Sequence, residues 1–324
     1  MKLKLIPLKL SQETLGLWLG LLGVLIFAVT LPMTRMAIGP ADAPQLSPWF
    51  VTFGRAVLAG LLSIGVILAT RSPWPHASQR QPLFFAMLGN ALGYPLLLGF
   101  ALRTETASHA AVITALLPLA TAAVAAWVLH QRARLGFWIC AVIGALLVAT
   151  FSLLRAQQMG HGFNLTFADI LLLGAVLAAA MGYIFGAQVT PALGAERVIC
   201  WICVMALPIT LPGAWMTWPE QAVATSAWWG LLYVGVFSMW AGFFAWYRGL
   251  VLGGALKVSQ IQLLQPFISI MAAALILGET IDQVTLGFAL GVVATVFIGK
   301  RFSSPPQVAA QDTRDNQDKA KHEL

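Results

Sequence analysis

The chain has 324 residues, 59% of them hydrophobic and only 10% charged, with a formal net charge of +7. A water-exposed surface of ordinary charge density cannot be assembled from that composition, so a soluble globular protein is excluded and the chain reads as a membrane protein. The surplus of Lys and Arg sits in connections between apolar runs, where it sets topology, and gives no reason to invoke a nucleic-acid partner.

Apolar stretches long enough to cross a hydrocarbon core of about 30 Å, at roughly 20 residues each, recur ten times, near 14–37, 48–70, 82–102, 108–129, 135–154, 167–188, 197–216, 226–247, 257–278 and 281–300. Backbone groups in hydrocarbon must be bonded inside their own segment, so these runs are helices. The first run follows a Lys-rich start and precedes Ala41-Asp42-Ala43, which imitates a secretion signal. It exceeds the ~7–15-residue core of such signals and is read as a retained span. At its outer end Arg35 lies near Thr30, Pro32 and Thr34 and is expected to snorkel to the interface.

The second span carries Arg55 well inside it. An arginine at depth costs roughly 2.5–3.5 kcal/mol on insertion scales, so Arg55 must face polar surroundings, either bonding helix-end carbonyls or attracting a carboxylate or phosphate. The third span holds Asn90 and Tyr94, and the fourth holds Thr114, Pro118 and Thr121. In the sixth and eighth, Tyr183, Tyr233, Ser238 and Trp240 are candidates to wall or line a cavity. Cys200-x-x-Cys203 lies in an apolar helix with only Cys140 besides, which makes these packing residues rather than a metal or redox site. The ninth span presents Ser259, Gln262, Pro266 and Ser269 at spacings of three and four, hence on one face, with Gln265 beside them. Residues 302–324 are polar and aperiodic, as in a disordered cytoplasmic tail.

The two halves are related. At an offset of 148, Pro118 in ITALLPLATAAVAAWVL meets Pro266 in IQLLQPFISIMAAALIL, Thr114 meets Gln262, and Asn90 meets Ser238. With a longer turn in the second half, which makes the offset 151, Gly136, Cys140 and Gly144 of the fifth span match Gly287, Gly291 and Thr295 of the tenth, small residues that let helices approach closely, against one another or in a homodimer. Five spans per half is an odd number, so the second half enters the membrane from the opposite side. The expected architecture is therefore an all-α membrane protein of ten transmembrane helices, arranged as two inverted five-helix repeats over 14–154 and 167–301. With the amino terminus inside, fifteen Lys and Arg residues fall on the cytoplasmic side and only Arg35, Arg103 and Arg155 outside, which places both termini in the cytoplasm of a cell with this protein in its inner membrane.

The order of these features resembles the EamA-type transporters of the drug/metabolite transporter superfamily. The resemblance spans about 14–301 and rests on Arg55 in FGRAVLAG, on LLPLATA and LLQPFIS, and on Leu277-Gly278-Glu279 before a Gly-rich last helix. It implies a central cavity formed by spans one to four and six to nine, and export of small metabolites, amino acids among them. The first half departs from the pattern with Leu129-His130-Gln131 where Leu-Gly-Glu is usual, so any role for that acidic residue passes only to Glu279.

The expected function is a carrier exporting a small neutral, zwitterionic or anionic metabolite, with Gln262, Gln265, Asn90, Thr114 and Ser238 bonding the substrate, Tyr94 and Trp240 beside them, and Arg55 supplying positive potential. No Asp or Glu lies near the centre of a span, which disfavours hydrophobic cations and leaves His109 and Asp169 as the remaining candidates for carrying a proton. Translocation of a lipid-linked substrate is a variant of the same reading. A membrane enzyme would cluster His, Asp or Cys inside the spans, and the five His residues fall in loops, span edges or the tail. No cofactor or metal is expected.

Overall fold

A computed structural model describes residues 11–128, 134–158, 166–253, 258 and 261–302. The amino-terminal lysines, Leu129-His130-Gln131, Ser259 and the tail from 303 lie outside the described residues. Everything regular among the described residues is helical. Eight helices are long and apolar enough to cross a membrane: α1 (Gln12–Ile38), α2 (Pro48–Ala69), α3 (Ala77–Ala101), α4 (Ala107–Val128), α5 (Leu135–Leu154), α6 (Phe167–Leu193), α7 (Glu196–Met216) and α8 (Thr225–Gly249). Two shorter apolar helices follow, α9 (Gln262–Leu277) and α10 (Gln283–Gly299). The ninth run begins earlier in the sequence than α9 does because much of 254–260 lies outside the described residues.

Polar residues cap these helices where they enter and leave. Ser47 opens α2 by accepting from Phe50 N, with Pro48 at a first-turn position that needs no N–H donor. Thr166 and Asp169 form a reciprocal capping box at the start of α6. Gly278, at φ 70°, ends α9 in the left-handed conformation that a Cβ would disfavour.

Several helices are interrupted, and the interruptions fall at matching places. A π-helical stretch occupies Leu88–Gly93 in α3 and another Tyr233–Ala241 in α8. In α4 the chain turns at Ala115-Leu116 before Pro118, and in α9 a 3₁₀ turn occupies Gln262–Leu264 before Pro266. Shifted by 148 positions, these two interruptions of the first half land on the two in the second. Proline explains the second pair: it lacks an N–H and its ring crowds the carbonyl four residues back, here Thr114 and Gln262. α1 breaks at Val29, three residues before Pro32.

Glycines set the closest helix crossings. α1 and α8 meet where Gly249 faces Gly20, and α3 and α6 meet where Gly89 and Gly182 lie against one another, with the Asn90 side chain over Gly182. α5 packs on α10, with Gly144 near Thr295 and Gly299 near Cys140, so the small-residue faces meet within one chain. Cys200 and Cys203 are buried free thiols in the α7 packing.

A Cβ at Gly249 would lie 2.7 Å from Gly20 N and 3.0 Å from Gly16 O, both backbone atoms that cannot swing aside. Gly249→Ala is expected to lose about 1–3 kcal/mol by overpacking. Gly287→Ala, which meets nothing within 4 Å, is the matched control. Thermal melting of both in detergent checks this: the first lowers the midpoint, and the second leaves it unchanged.

Candidate functional site

The interruptions surround a cavity of about 60 Å³. Each of α1 to α4 and α6 to α9 contributes to its wall, through Phe27, Arg55, Asn90, Thr114, Tyr183, Ile199, Ser238 and Gln262, and Val293 of α10 joins them. Seven of the eight residues expected from the sequence line it: Arg55, Asn90, Tyr94, Thr114, Ser238, Gln262 and Gln265. Spacing explains the grouping, since Asn90 and Tyr94 are four apart and Gln262 and Gln265 three apart, on shared helix faces. Trp240 is placed elsewhere. It lies two residues from Ser238, and residues two apart do not share a face, so with Ser238 turned to the cavity Trp240 packs on Phe244 at a ring separation of 4.9 Å.

The polar side of the cavity is a chain of hydrogen bonds. Thr30 Oγ1 and Ser238 Oγ are 2.8 Å apart, and Arg55 Nη2 donates to Ser238 Oγ at 3.4 Å. Arg55 is 3% exposed, and its Nε and Nη1 have no partner within the protein. Neither does Asn90 Nδ2 nor Gln265 Oε1. No Asp or Glu is among the described lining residues. A buried guanidinium with most of its donors unused and no carboxylate beside it is a costly arrangement unless water or an anionic group fills the space.

Broken helices supply the rest of the wall. Pro32 cannot donate to the Ala28 carbonyl, and Ser269 Oγ of α9 does so instead at 2.8 Å. Tyr233 OH donates to the Ile26 carbonyl at 3.0 Å. Thr114 Oγ1 donates to Ala110 O at 2.8 Å, folding back on its own helix. Thr30, Phe27 and Phe243 were not among the residues singled out for the site. The legible signal for Thr30 was its position two residues before a proline inside an apolar span; nothing in the pattern distinguished the two phenylalanines from packing residues.

At the end of the bundle where α4 begins, Glu279 reaches from the turn after α9 and accepts from Ala107 N at 2.8 Å, Ser108 N at 2.9 Å and Ser108 Oγ at 2.6 Å. A carboxylate there satisfies donors that a helix start leaves open and favours the positive end of the helix dipole. Glu279 thus does more than terminate α9: it starts α4. Arg35, at the same end, donates from Nη1 to the Leu102 carbonyl that closes α3.

A multi-pass helical protein that encloses a small polar cavity between interrupted spans has the construction of a membrane transporter. The chain belongs to the EamA-like transporter family, whose model matches it twice, over residues 14–153 and 166–299. It is 36% identical over 296 residues to the "Uncharacterized transporter YdeK" of Bacillus subtilis (strain 168), covering 91% of this chain and all of that protein. A solved crystal structure shares the fold with a TM-score of 0.57 at 18% identity, covering 88% of this chain and 98% of its own.

Single cysteines at Thr114 and Gln262, in a background lacking Cys140, Cys200 and Cys203, are expected to react with small thiol reagents and to be protected by transported substrate. Labelling of both positions followed by mass spectrometry checks this. Burial of both against reagent from either side, with and without candidate substrates, would remove them from the lining.

Proposed function

We propose that the protein is an alternating-access carrier that exports a small carboxylate-bearing metabolite, such as an amino acid or a related zwitterion or anion. The observation that carries this is Arg55, with Nε and Nη1 unpartnered at a cavity that no described acidic side chain lines. A carboxylate placed there would take charge-assisted hydrogen bonds from the guanidinium. Asn90, Thr114, Ser238, Gln262 and Gln265 would bond the remaining polar groups of the substrate, with Tyr94 against its body. Donors and acceptors both occur in this set, so neutral and zwitterionic substrates fit as well as anions, while a cation would face the charge of Arg55 with no described carboxylate to offset it.

The same reading takes α9 and α10 as spans, giving ten, with 14–154 and 167–301 as two five-helix repeats of opposite orientation in the inner membrane and both termini in the cytoplasm. Support comes from the Lys and Arg distribution of the sequence and from helix interruptions that recur at one offset. Alternating access is then a rocking of one repeat against the other about the cavity.

Arg55→Gln is the direct test, measured as counterflow of radiolabelled amino and carboxylic acids in proteoliposomes. It is expected to raise KM for the transported carboxylate by about 30-fold or more, the scale of losing a desolvated charge contact worth at least ~2 kcal/mol. Arg55→Lys, which keeps charge without the planar fork, should fall between. An unchanged KM in a normally folded Arg55→Gln protein overturns the carboxylate reading.

A further inference from the structure

A second group of buried ionisable residues lies outside the cavity, at the end of the bundle where α4 and α6 begin. Glu105, His109 and Asp169 are 4%, 2% and 1% exposed. His109 Nε2 is 2.7 Å from Asp169 Oδ1. That oxygen also accepts from Ser152 Oγ at 3.0 Å, and Asp169 Oδ2 accepts from Thr166 N and Thr166 Oγ1, both at 2.9 Å. With its oxygens so engaged as acceptors, Asp169 is a carboxylate, and the hydrogen shared with the imidazole belongs to Nε2.

The other side of the ring is unfinished. His109 Nδ1 faces Glu105 Oε2 at 3.7 Å, and both atoms are buried without a hydrogen-bond partner. If Nε2 carries the ring's one hydrogen, Nδ1 presents a lone pair to a carboxylate oxygen, which is repulsive in a site closed to water. One added proton between Nδ1 and Oε2 turns that repulsion into attraction, and a closure of under about 1 Å makes it a charge-assisted hydrogen bond. It belongs to the pair rather than to either residue.

We propose that Glu105, His109 and Asp169 form a proton-binding site that joins the outer ends of α4 and α6, so that proton binding and closure of the outer end are one linked equilibrium. The surrounding charge suits a proton. Arg35 of α1 is the nearby cation, electrostatically coupled to Glu105, Glu279 and Asp42 together. Arg103 donates instead to the Leu46 carbonyl at 3.5 Å. Glu279 of the α9–α10 turn adds a further carboxylate at the start of α4, Asp282 is bonded at the start of α10, and α5 presents the Ser152 hydroxyl and the Phe151 ring, the latter 5.0 Å from the imidazole.

The site is mechanically attached to the cavity. His109 and Thr114 belong to one short helical piece, Ala107–Thr114, which ends at the Ala115-Leu116 turn. That piece is about 12 Å long at the α-helical rise. Opening the outer end pulls α4 from α6, takes His109 away from Asp169, and dissolves the pocket that holds the proton. By linkage, a proton that binds the closed form better than the open form favours closure, and closure favours its binding.

This rests on the alternating-access reading, and the test separates the two. Ala111→Cys, on the same helical piece and buried, is placed in a background lacking the native cysteines, and its labelling by a membrane-impermeant thiol reagent from the outer side is followed between pH 5.5 and 8.5. The thiol's own response to pH cancels when rates are taken as ratios to those of the same cysteine in His109→Gln and in Glu105→Gln. The expected result is a parent-to-variant ratio that falls as external pH is lowered, by up to about tenfold per pH unit for a single linked proton. Glu105→Gln keeps the His109–Asp169 contact and so guards against loss of fold in His109→Gln. Robust labelling with a ratio independent of pH for both variants overturns the proton site and leaves the carrier reading intact. No labelling at any pH, with or without substrate, overturns alternating access and the proton site together.

Discussion

In a bilayer, a helix that stops bonding to itself must be completed by its neighbours, and this chain interrupts its helices around a common space. Pro32, Pro118 and Pro266 each withdraw one backbone donor inside an apolar segment, and π-helical stretches widen α3 and α8 near Asn90 and Ser238. A lone interruption facing lipid would cost several kcal/mol per unsatisfied group. Gathered together, the interruptions satisfy one another: Ser269 of α9 completes the Ala28 carbonyl of α1, and Tyr233 of α8 completes that of Ile26. The cavity exists where it does because that is where irregular backbone can be afforded.

Arg55 follows from the same constraint with the sign of a charge added. Effective desolvation costs several kcal/mol for a buried ion, whereas one hydrogen bond from a charged donor to a neutral hydroxyl returns roughly 1.5–3 kcal/mol. The single bond to Ser238 at 3.4 Å is long and does not balance that cost. The protein therefore holds an electrostatic deficit at its centre, and any ligand with a carboxylate reduces it. Two glycines protect this arrangement: Gly235 lets α8 approach the backbone at Arg55, and Gly182 leaves room for the Asn90 amide.

The spans and most of the lining were legible in the sequence because both are written in strong, local signals. Apolar runs identify helices, and polar residues three or four apart beside a proline identify a face, which is how Thr114, Gln262 and Gln265 were found. Arg55 was legible because hydrocarbon tolerates so few charges. Trp240 was placed by residue type alone, and helical phase carries it away from Ser238. The His109–Asp169 contact and the grip of Glu279 on α4 were not legible, since each joins residues far apart in sequence whose local patterns say only that they sit near span ends. The acceptor of Arg35 was hidden for the same reason, being the carbonyl of Leu102 at the end of another helix.

The size of the cavity gives the structure a direction of change. About 60 Å³ holds roughly four to six waters at about 10–15 Å³ each, while ligand pockets are typically about 300–1,000 Å³. A solute of ordinary ligand size would fit only if the wall expanded. The wall is not free to expand evenly, because the first piece of α4 is tied at its start to α6 through Asp169 and to the α9–α10 turn through Glu279, while its far end stops at a turn beside the cavity. A segment anchored at one end and hinged at the other moves as a unit or not at all. Motion at the cavity would therefore register at the anchors, a buried imidazole–carboxylate contact at Asp169 and a half-buried carboxylate at Glu279.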